Sequence, residues 1–216
     1  MPEVNETVGD RKCCIAGVIL AAGRSSRMGQ PKQLLPLDDR PLLQHVIENA
    51  RMSCLNELIL VLGYEAASIE QNLALTENES ALRIVVNSEY ANGLSSSLRV
   101  GLRAATQHTE AAAILLGDQP SVDATLIDRV VATFRSSNAA ITRPIYRNAE
   151  GREVPGHPVI LARSIWPEVV ALDGDEGARV LARQQPSWLK ELPVQGQPPA
   201  DVNTWRDYEQ LKESRA

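Results

Sequence analysis

Arg24, Arg27 and Lys32 stand close together in a stretch that also holds Gly23, Gly29 and the hydroxyls of Ser25 and Ser26. No acidic residue falls between Ile15 and Leu37. Glycine lets the main chain come close to a ligand, and free N–H groups in such a loop point at phosphate oxygens. Cations at the same place supply charge for a polyphosphate. The apolar run 15–20 just before the loop places it at the carboxyl end of a first β-strand. The spacing is not that of a P-loop, which needs Lys and Ser/Thr directly after its second glycine. Here Lys32 comes three residues after Gly29 and is followed by Gln33. The dinucleotide fingerprint G-x-G-x-x-G is absent as well. The plain alternative is a strand-to-helix turn with solvated arginines. Three cations without an acid fit that alternative poorly.

Asp118 closes the run Ala-Ala-Ala-Ile-Leu-Leu-Gly-Asp. Packing gives little reason for a carboxylate at the mouth of a buried strand. Mg²⁺ takes oxygen ligands, typically one or two carboxylates plus substrate phosphates, so Asp118 is a metal-ligand candidate. A turn role before Pro120 competes with that reading. Asp201 is the second metal candidate, delivered by the Pro-rich loop 195–200. Capping of the following helix is its competing role. Asn203 offers a carbonyl oxygen without charge and is also a candidate cap. His45, His108 and His157 are far apart and Cys13, Cys14 and Cys54 lack metal-site spacing, so no zinc site is expected.

The elements that must position these residues alternate. Buried strands are expected over 15–20, 57–62, 83–87 and 111–116, and helices over 41–52, 66–73, 94–105 and 123–135. This alternation predicts a three-layer α/β/α fold with an open, mostly parallel Rossmann-like sheet. Ligands bind at the carboxyl ends of strands in such sheets, so the first loop and Asp118 are expected to converge. Beyond residue 139 the rhythm changes. A strand is expected over 140–146, a turn at 148–151, a return segment over 154–161, helices over 164–172 and 176–184, a strand over 188–194 and a closing helix over 205–214. The expectation is a tail at 1–12 and one domain over 13–216, with a nucleotide-binding half (13–138) and an acceptor-side half (139–216).

The 216 residues are 44% hydrophobic and 23% charged, with 22 basic against 27 acidic side chains and a net charge of −5. The balance argues against a nucleic-acid partner, which calls for a basic excess. No apolar run is long enough for a transmembrane helix, and the acidic N-terminus lacks a signal-peptide core. A cytoplasmic protein with reduced thiols is expected.

The pattern L-A-A-G-x-S-x-R-M-G-x-x-K-x-L-L-P-L resembles the signature loop of the MobA-like nucleotidyltransferases, in the branch that contains molybdenum cofactor cytidylyltransferase. The resemblance continues through Asn92–Arg99, Leu-Gly-Asp-Gln-Pro at 116–120, Gly-His-Pro-Val at 156–159, Gly-Asp-Glu-Gly-Ala-Arg at 174–179 and Asp-Val-Asn-Thr at 201–204. Relatives usually read Asp-x-Asp-Thr in the last block, so Asn203 is a departure. The resemblance implies the nucleotide-diphospho-sugar transferase fold. It also implies Mg²⁺-dependent transfer of CMP from CTP to the phosphate of molybdopterin cofactor, with release of pyrophosphate. On this reading Leu20, Ala21, Ala22, Gly23, Arg24, Ser25, Lys32, Ser95 and Asp118 bind the nucleotide. Arg27, Lys32 and Asp118 carry catalysis, and Asp118 and Asp201 hold the metal. His157, Asp175 and Arg179 face the phosphorylated pterin acceptor. The Ala-Ala-Gly form of the loop goes with cytosine, and a molybdenum hydroxylase is the implied recipient of the product. Three rival readings remain: transfer to a sugar phosphate or isoprenoid precursor, non-catalytic delivery of molybdenum cofactor, and an NAD-dependent oxidoreductase, the last weakened by the missing glycine fingerprint.

Overall fold

Every residue of Ile15–Leu20 (β1) is buried, because the strand lies mid-sheet with helices on both faces, the usual setting of a parallel strand. Successive side chains alternate between two cores. Ile15 and Ile19 enter one core, while Ala16, Val18 and Leu20 enter the other. The computed structural model describes residues 14–75, 82–148, 151–175 and 177–215. The expected N-terminal tail lies outside the described residues.

From β1 the chain runs through the short strands Pro36–Leu37 (β2) and Arg40–Pro41 (β3), then helix Leu42–Arg51 (α1). Next come Glu57–Leu62 (β4), Ala66–Asn72 (α2), Leu82–Val86 (β5), Leu94–Ala104 (α3), Ala111–Leu116 (β6) and Ala124–Arg135 (α4). The second half holds Ile141–Arg147 (β7), Glu153–Pro155 (β8), Val159–Ala162 (β9), Trp166–Val170 (α5), Arg179–Gln184 (α6), Leu189–Gln195 (β10) and Trp205–Glu213 (α7). One eight-stranded sheet has the order β10-β7-β9-β6-β1-β4-β5, with β8 added on β7. β1 pairs in parallel with β4 and β6, β4 with β5, and β7 with β10. Within that order only β9 runs against its neighbours, β6 and β7. The expected three-layer, mostly parallel architecture is the observed one. No helix among the described residues is long and apolar enough to cross a membrane.

Several packing details bear on the site. A Cβ on Gly101 would lie 2.4 Å from Val18 Cγ1, so only glycine lets α3 sit this close to β1. The N-terminus of α3 is thereby held beside the carboxyl end of β1. A third, smaller core joins Met28, Leu35, Leu37 and Leu42 to Val202, Tyr208 and Leu211. It fastens the loop after β1 to the C-terminal segment.

Three details differ from expectation. Asp38 and Asp39, both at positive φ (48° and 63°), make a two-residue hairpin turn between β2 and β3. Such turns demand left-handed residues, which Asp tolerates. The return segment 154–161 is two strands, broken at Gly156, His157 and Pro158. Pairing reaches as far as Gly156, whose N–H donates to the Pro144 carbonyl at 3.0 Å, and Pro158 then has no N–H with which to continue a ladder. The helix expected over 176–184 begins only at Arg179, after Gly177 at φ +48°.

Candidate active site

The loop after β1 has its outer edge free and its inner edge fastened. Ala21 N–H donates to Val61 O, and the Ala22 carbonyl accepts from Tyr64 N. Buried Gln33 donates through Nε2 to the carbonyls of Ala21 (2.8 Å) and Gly23 (3.2 Å). The methyl groups of Ala21 and Ala22 face inward. A Cβ on Gly117 would lie 2.8 Å from Ala21 Cβ, and one on Gly63 would lie 2.8 Å from Ala22 Cβ. Among the described residues, no protein acceptor engages the main-chain N–H groups of Ala22, Gly23, Arg24 or Ser25. Unpaired, accessible N–H groups in series form an anion-binding edge. Ser25, left-handed at φ 54°, closes the loop by accepting from Lys32 N at 3.1 Å.

Lys32 carries the loop's charge to Asp118. Its Nζ donates to Asp118 Oδ2 at 2.6 Å and to Asn203 Oδ1 at 2.9 Å. Asp118 is positioned by β6, with Gly117 N donating to Leu20 O at 2.9 Å. The C-terminal segment is tied to the same point, since Val202 N donates to the Asp118 carbonyl at 3.0 Å. Asp201 and Asn203 therefore flank a residue anchored on Asp118. Asp201 Oδ1 accepts from Gln119 Nε2 at 2.5 Å. Partial burial and then the charge of Asp118 push the Asp201 carboxyl above its usual range, opposed by Gln119 and Lys32. A cation shared by both carboxylates would relieve that repulsion, so the oxygen donors fit Mg²⁺. No group of three or more His, Cys, Asp or Glu side chains that could hold a metal occurs among the described residues. An ion here would complete its shell from phosphate and water.

Asn203 takes its place from a helix cap. Thr204 and Asp207 form a reciprocal capping box at the start of α7, and Asp207 Oδ2 also accepts from Asn203 N at 3.0 Å. Burial alone would raise the Asp207 pKa. Hydrogen bonds from Thr204 and Asn203, and the charge of Arg27, bring it below the usual carboxylate value instead.

Two cavities meet at this centre. One, of about 300 Å³, is lined by Leu20, Ala21, Ala22, Gly23, Lys32 and Asp118 on one side and by Tyr90, Gly93 and Ser97 on the other. The second, of about 350 Å³, has apolar walls from Leu98, Ile114, Ile141 and Val159, and polar groups from Arg143, His157, Arg179 and Arg183. Leu20, Leu94, Leu116 and Asp175 line both. Asp175 is held at the junction, where its Oδ1 accepts from Leu94 N at 3.0 Å. Gly93, at φ +93°, leaves room for this loop, since a Cβ there would sit 2.6 Å from the Gly174 carbonyl carbon. Arg99 fixes the same loop by donating to the carbonyls of Val170 and Leu172. Burial drives the His157 pKa down to about 4, with Asp118 opposing and the charges of Arg179 and Arg143 assisting. The ring is neutral at neutral pH and offers one donor and one acceptor.

The residues picked from sequence fall into three groups. Leu20, Ala21, Ala22, Gly23, Lys32 and Asp118 share the first cavity, and His157, Asp175 and Arg179 share the second. Arg24 lies at the rim, its guanidinium 5.4 Å from the Tyr90 ring centroid and 5.9 Å from that of Tyr64. Arg27 is exposed, and Ser25 serves the loop itself. Ser95 is buried with its N–H donating to Gly174 O, while Ser97 lines the cavity. Sequence reasoning did not single out Gln33, Tyr90, Ser97, Arg143 or Arg183. Gln33 and Tyr90 lie in or beside recognised blocks, but no spacing rule marks an amide as a loop staple. Arg143 sits in a strand whose pattern looked structural.

A model of the MobA-like NTP transferase domain matches residues 17–188. The nicotine blue oxidoreductase of Paenarthrobacter nicotinovorans is 35% identical over 83% of this chain and 86% of its own length. The molybdenum cofactor cytidylyltransferase of Escherichia coli K12 is 32% identical over 68% of this chain and 69% of its own. Among solved structures, Rv0371c from Mycobacterium tuberculosis H37Rv superposes with a TM-score of 0.80 at 36% identity, covering 93% of this chain and 98% of that one. A manganese complex of that protein superposes with a TM-score of 0.75 at 33% identity, covering 93% of this chain and 99% of the other. The architecture is that of the nucleotide-diphospho-sugar transferases. With the signature loop and the sheet order in place and residues 17–188 matched, the chain belongs to the MobA-like NTP transferase family of nucleotidyltransferases.

Proposed function

We propose that this protein transfers CMP from CTP to the phosphate of molybdopterin cofactor and releases pyrophosphate. The observation that carries the proposal is the continuity of the two cavities. A cleft with a free N–H edge and Lys32 opens at Leu116 and Asp175 into an apolar pocket bearing three arginines. Such a pocket suits an anionic molecule with a flat apolar body. The resemblance of the Ala21-Ala22-Gly23 loop to the cytidylyl branch supports CTP, and the cytidylyltransferase relative supports the pterin acceptor. On this reading residues 13–138 handle the nucleotide and 139–216 the acceptor, within one domain.

A phosphate monoester has a second pKa near ~6, so the acceptor arrives as a dianion and needs no general base. An acceptor oxygen bonds to the α-phosphorus as the bond from that phosphorus to the bridging oxygen breaks, and the electron pair leaves on pyrophosphate. Arg24, Arg27, Lys32 and the N–H groups of residues 22–25 hold the triphosphate and the departing charge. Arg143, Arg179 and Arg183 orient the acceptor, and neutral His157 contributes a hydrogen bond without adding charge. Asp118 and Asp201 would hold Mg²⁺, which supplies charge neutralisation between the reacting phosphates. The manganese complex of the mycobacterial relative supports a divalent cation in this role.

The test is pyrophosphate release with each of the four triphosphates, with and without molybdenum-loaded molybdopterin. CTP with the pterin is expected to be fastest. A preference for GTP would overturn the cytidylyl assignment, and turnover with a sugar phosphate alone would overturn the acceptor. One relative's name, nicotine blue oxidoreductase, favours a second reading in which the apolar pocket takes a planar redox substrate. Oxidation of reduced nicotinamide cofactor in the absence of any triphosphate would support that reading instead.

A further inference from the structure

Lys32 is engaged in a way its family motif does not demand. Its ammonium lies between Asp118, at 2.6 Å, and Asn203, at 2.9 Å, in the cavity that the loop residues Ala22 and Gly23 also line. The pair is shielded, with side chains only 14% and 16% exposed, so its Coulomb attraction is weakly screened. Lys32's main chain is fixed by Ser25 Oγ and by the buried neighbour Gln33. The flexible four-carbon stem is therefore free to redirect the charge while the loop stays put. Two cations on one carboxylate repel each other, so Lys32 and a divalent ion compete for Asp118.

We infer that Lys32 blocks the divalent-cation site at Asp118 until a triphosphate in the adjoining cleft draws its ammonium away. Asn203 completes the block by holding Lys32 through a neutral carbonyl, firmly enough to position it without a second full charge. Cation and nucleotide binding are then coupled, and by linkage the coupling is reciprocal. Free metal alone binds poorly, and the centre becomes fully charged only when its substrate is present. This inference rests on the assignment of Asp118 and Asp201 as cation ligands.

The experiment is a Mn²⁺ titration followed by electron paramagnetic resonance, with no turnover involved. Wild type, Lys32→Met, Lys190→Met, Asn203→Ala and Asp118→Asn are each measured with and without a CTP analogue bearing a methylene bridge between the α and β phosphorus. Without nucleotide, Lys32→Met is expected to bind Mn²⁺ roughly tenfold to a hundredfold tighter than wild type, the range by which one charge-assisted pair holds a carboxylate closed. Lys190→Met removes the same charge from an exposed position of β10 that lines neither cavity, and its effect is expected to stay below about threefold. Asn203→Ala is expected to tighten binding by a smaller factor than Lys32→Met, and it carries the test should Lys32→Met fold poorly. The enhancement of Mn²⁺ affinity by the analogue is expected to shrink in Lys32→Met. Equal Mn²⁺ affinity of wild type and Lys32→Met without nucleotide would overturn the inference, as would equal gains in Lys32→Met and Lys190→Met. If the analogue-dependent Mn²⁺ binding survives Asp118→Asn, the ligand assignment itself fails and the inference with it.

Discussion

The two cavities are built by different means. The cleft beside β1 takes one wall from the loop 20–23, with a staple (Gln33), two inward methyl groups (Ala21 and Ala22) and a single lysine reaching across, and its other walls from Tyr90, Gly93, Ser97 and Asp118. The pocket beside it is assembled from many separate pieces, with Leu98, Ile114, Ile141, Val159 and Arg179 from α3, β6, β7, β9 and α6 and with Gly156, Asp175 and Gly177 from the loops between elements. Main-chain N–H groups read phosphate, which every triphosphate shares. Side-chain walls read shape and charge, which differ between acceptors. On the proposed reading, nucleotide handling rests first on the loop after β1. On the same reading, acceptor choice rests on the residues that β7, β9 and α6 bring to the second cavity.

The comparison breaks most severely at Asp118, the carboxylate that lines the cleft at the end of β6. Asp118→Asn keeps shape and removes charge, and turnover is expected to fall roughly a hundred- to a thousandfold, the cost of losing one preorganised charge interaction at the reacting centre. Acceptor affinity, measured by fluorescence or calorimetry, should stay unchanged. A parallel loss of acceptor binding would show that the two regions are not separable there.

Lys32→Ala belongs to the cleft alone. Its kcat/KM is expected to drop about tenfold to a hundredfold, matching about 1.5–3 kcal/mol for a charge-assisted contact. The acceptor KM should be unaltered and the circular dichroism native. Wild-type kinetics would remove Lys32 from the triphosphate.

Arg179→Ala tests the other side. The acceptor KM is expected to rise by roughly tenfold while the KM for CTP stays constant, because the side chain lines only the second cavity. A change confined to the CTP KM would exchange the assignments of the two cavities.

The smallest expected effect is on stability. His157 has an ordinary pKa of 6.5 and is held at about 4 by burial. The unfolded chain therefore binds the extra proton first as pH falls. The native state loses stability between those two values and regains it as pH rises. Because the ring is partly exposed, the loss is discounted to on the order of 1 kcal/mol. Asp201, whose pKa is raised, pulls weakly the other way as it takes up its proton. Urea unfolding at a series of pH values should show the slope in wild type and a flatter one in His157→Gln. Equal slopes would mean that the ring titrates normally.

How much of this was legible depends on the range of the interactions. β1, β4, β6 and the four helices of the first half were readable because burial on both sides gives uninterrupted apolar runs and amphipathic faces give period. The elements of the second half blurred where backbone contacts decided them. Pro158, without an N–H to pair, separates β8 from β9 within the return segment expected over 154–161, and Gly177 in a left-handed conformation delays α6 to Arg179. The β2–β3 hairpin was missed although Asp38-Asp39 marks a turn, because two-residue strands carry no periodic signal.

For the site, the sequence by itself determined the loop of cations, the carboxylate at the end of β6 and the alternation that sends both to one edge of the sheet. These follow from local spacing and from the rule that parallel strands end together. Tertiary structure alone decided which partners meet. Asp201 and Asn203 reach Asp118 because Val202 is buried beneath them and donates to the Asp118 carbonyl, with α7 capped just beyond. Lys32 pairs with Asp118 across 86 residues and with Asn203 across 171. No pattern of spacing encodes contacts at that separation. They arise when burial of Met28, Leu35, Val202, Tyr208 and Leu211 in one small core brings the two ends of the chain together.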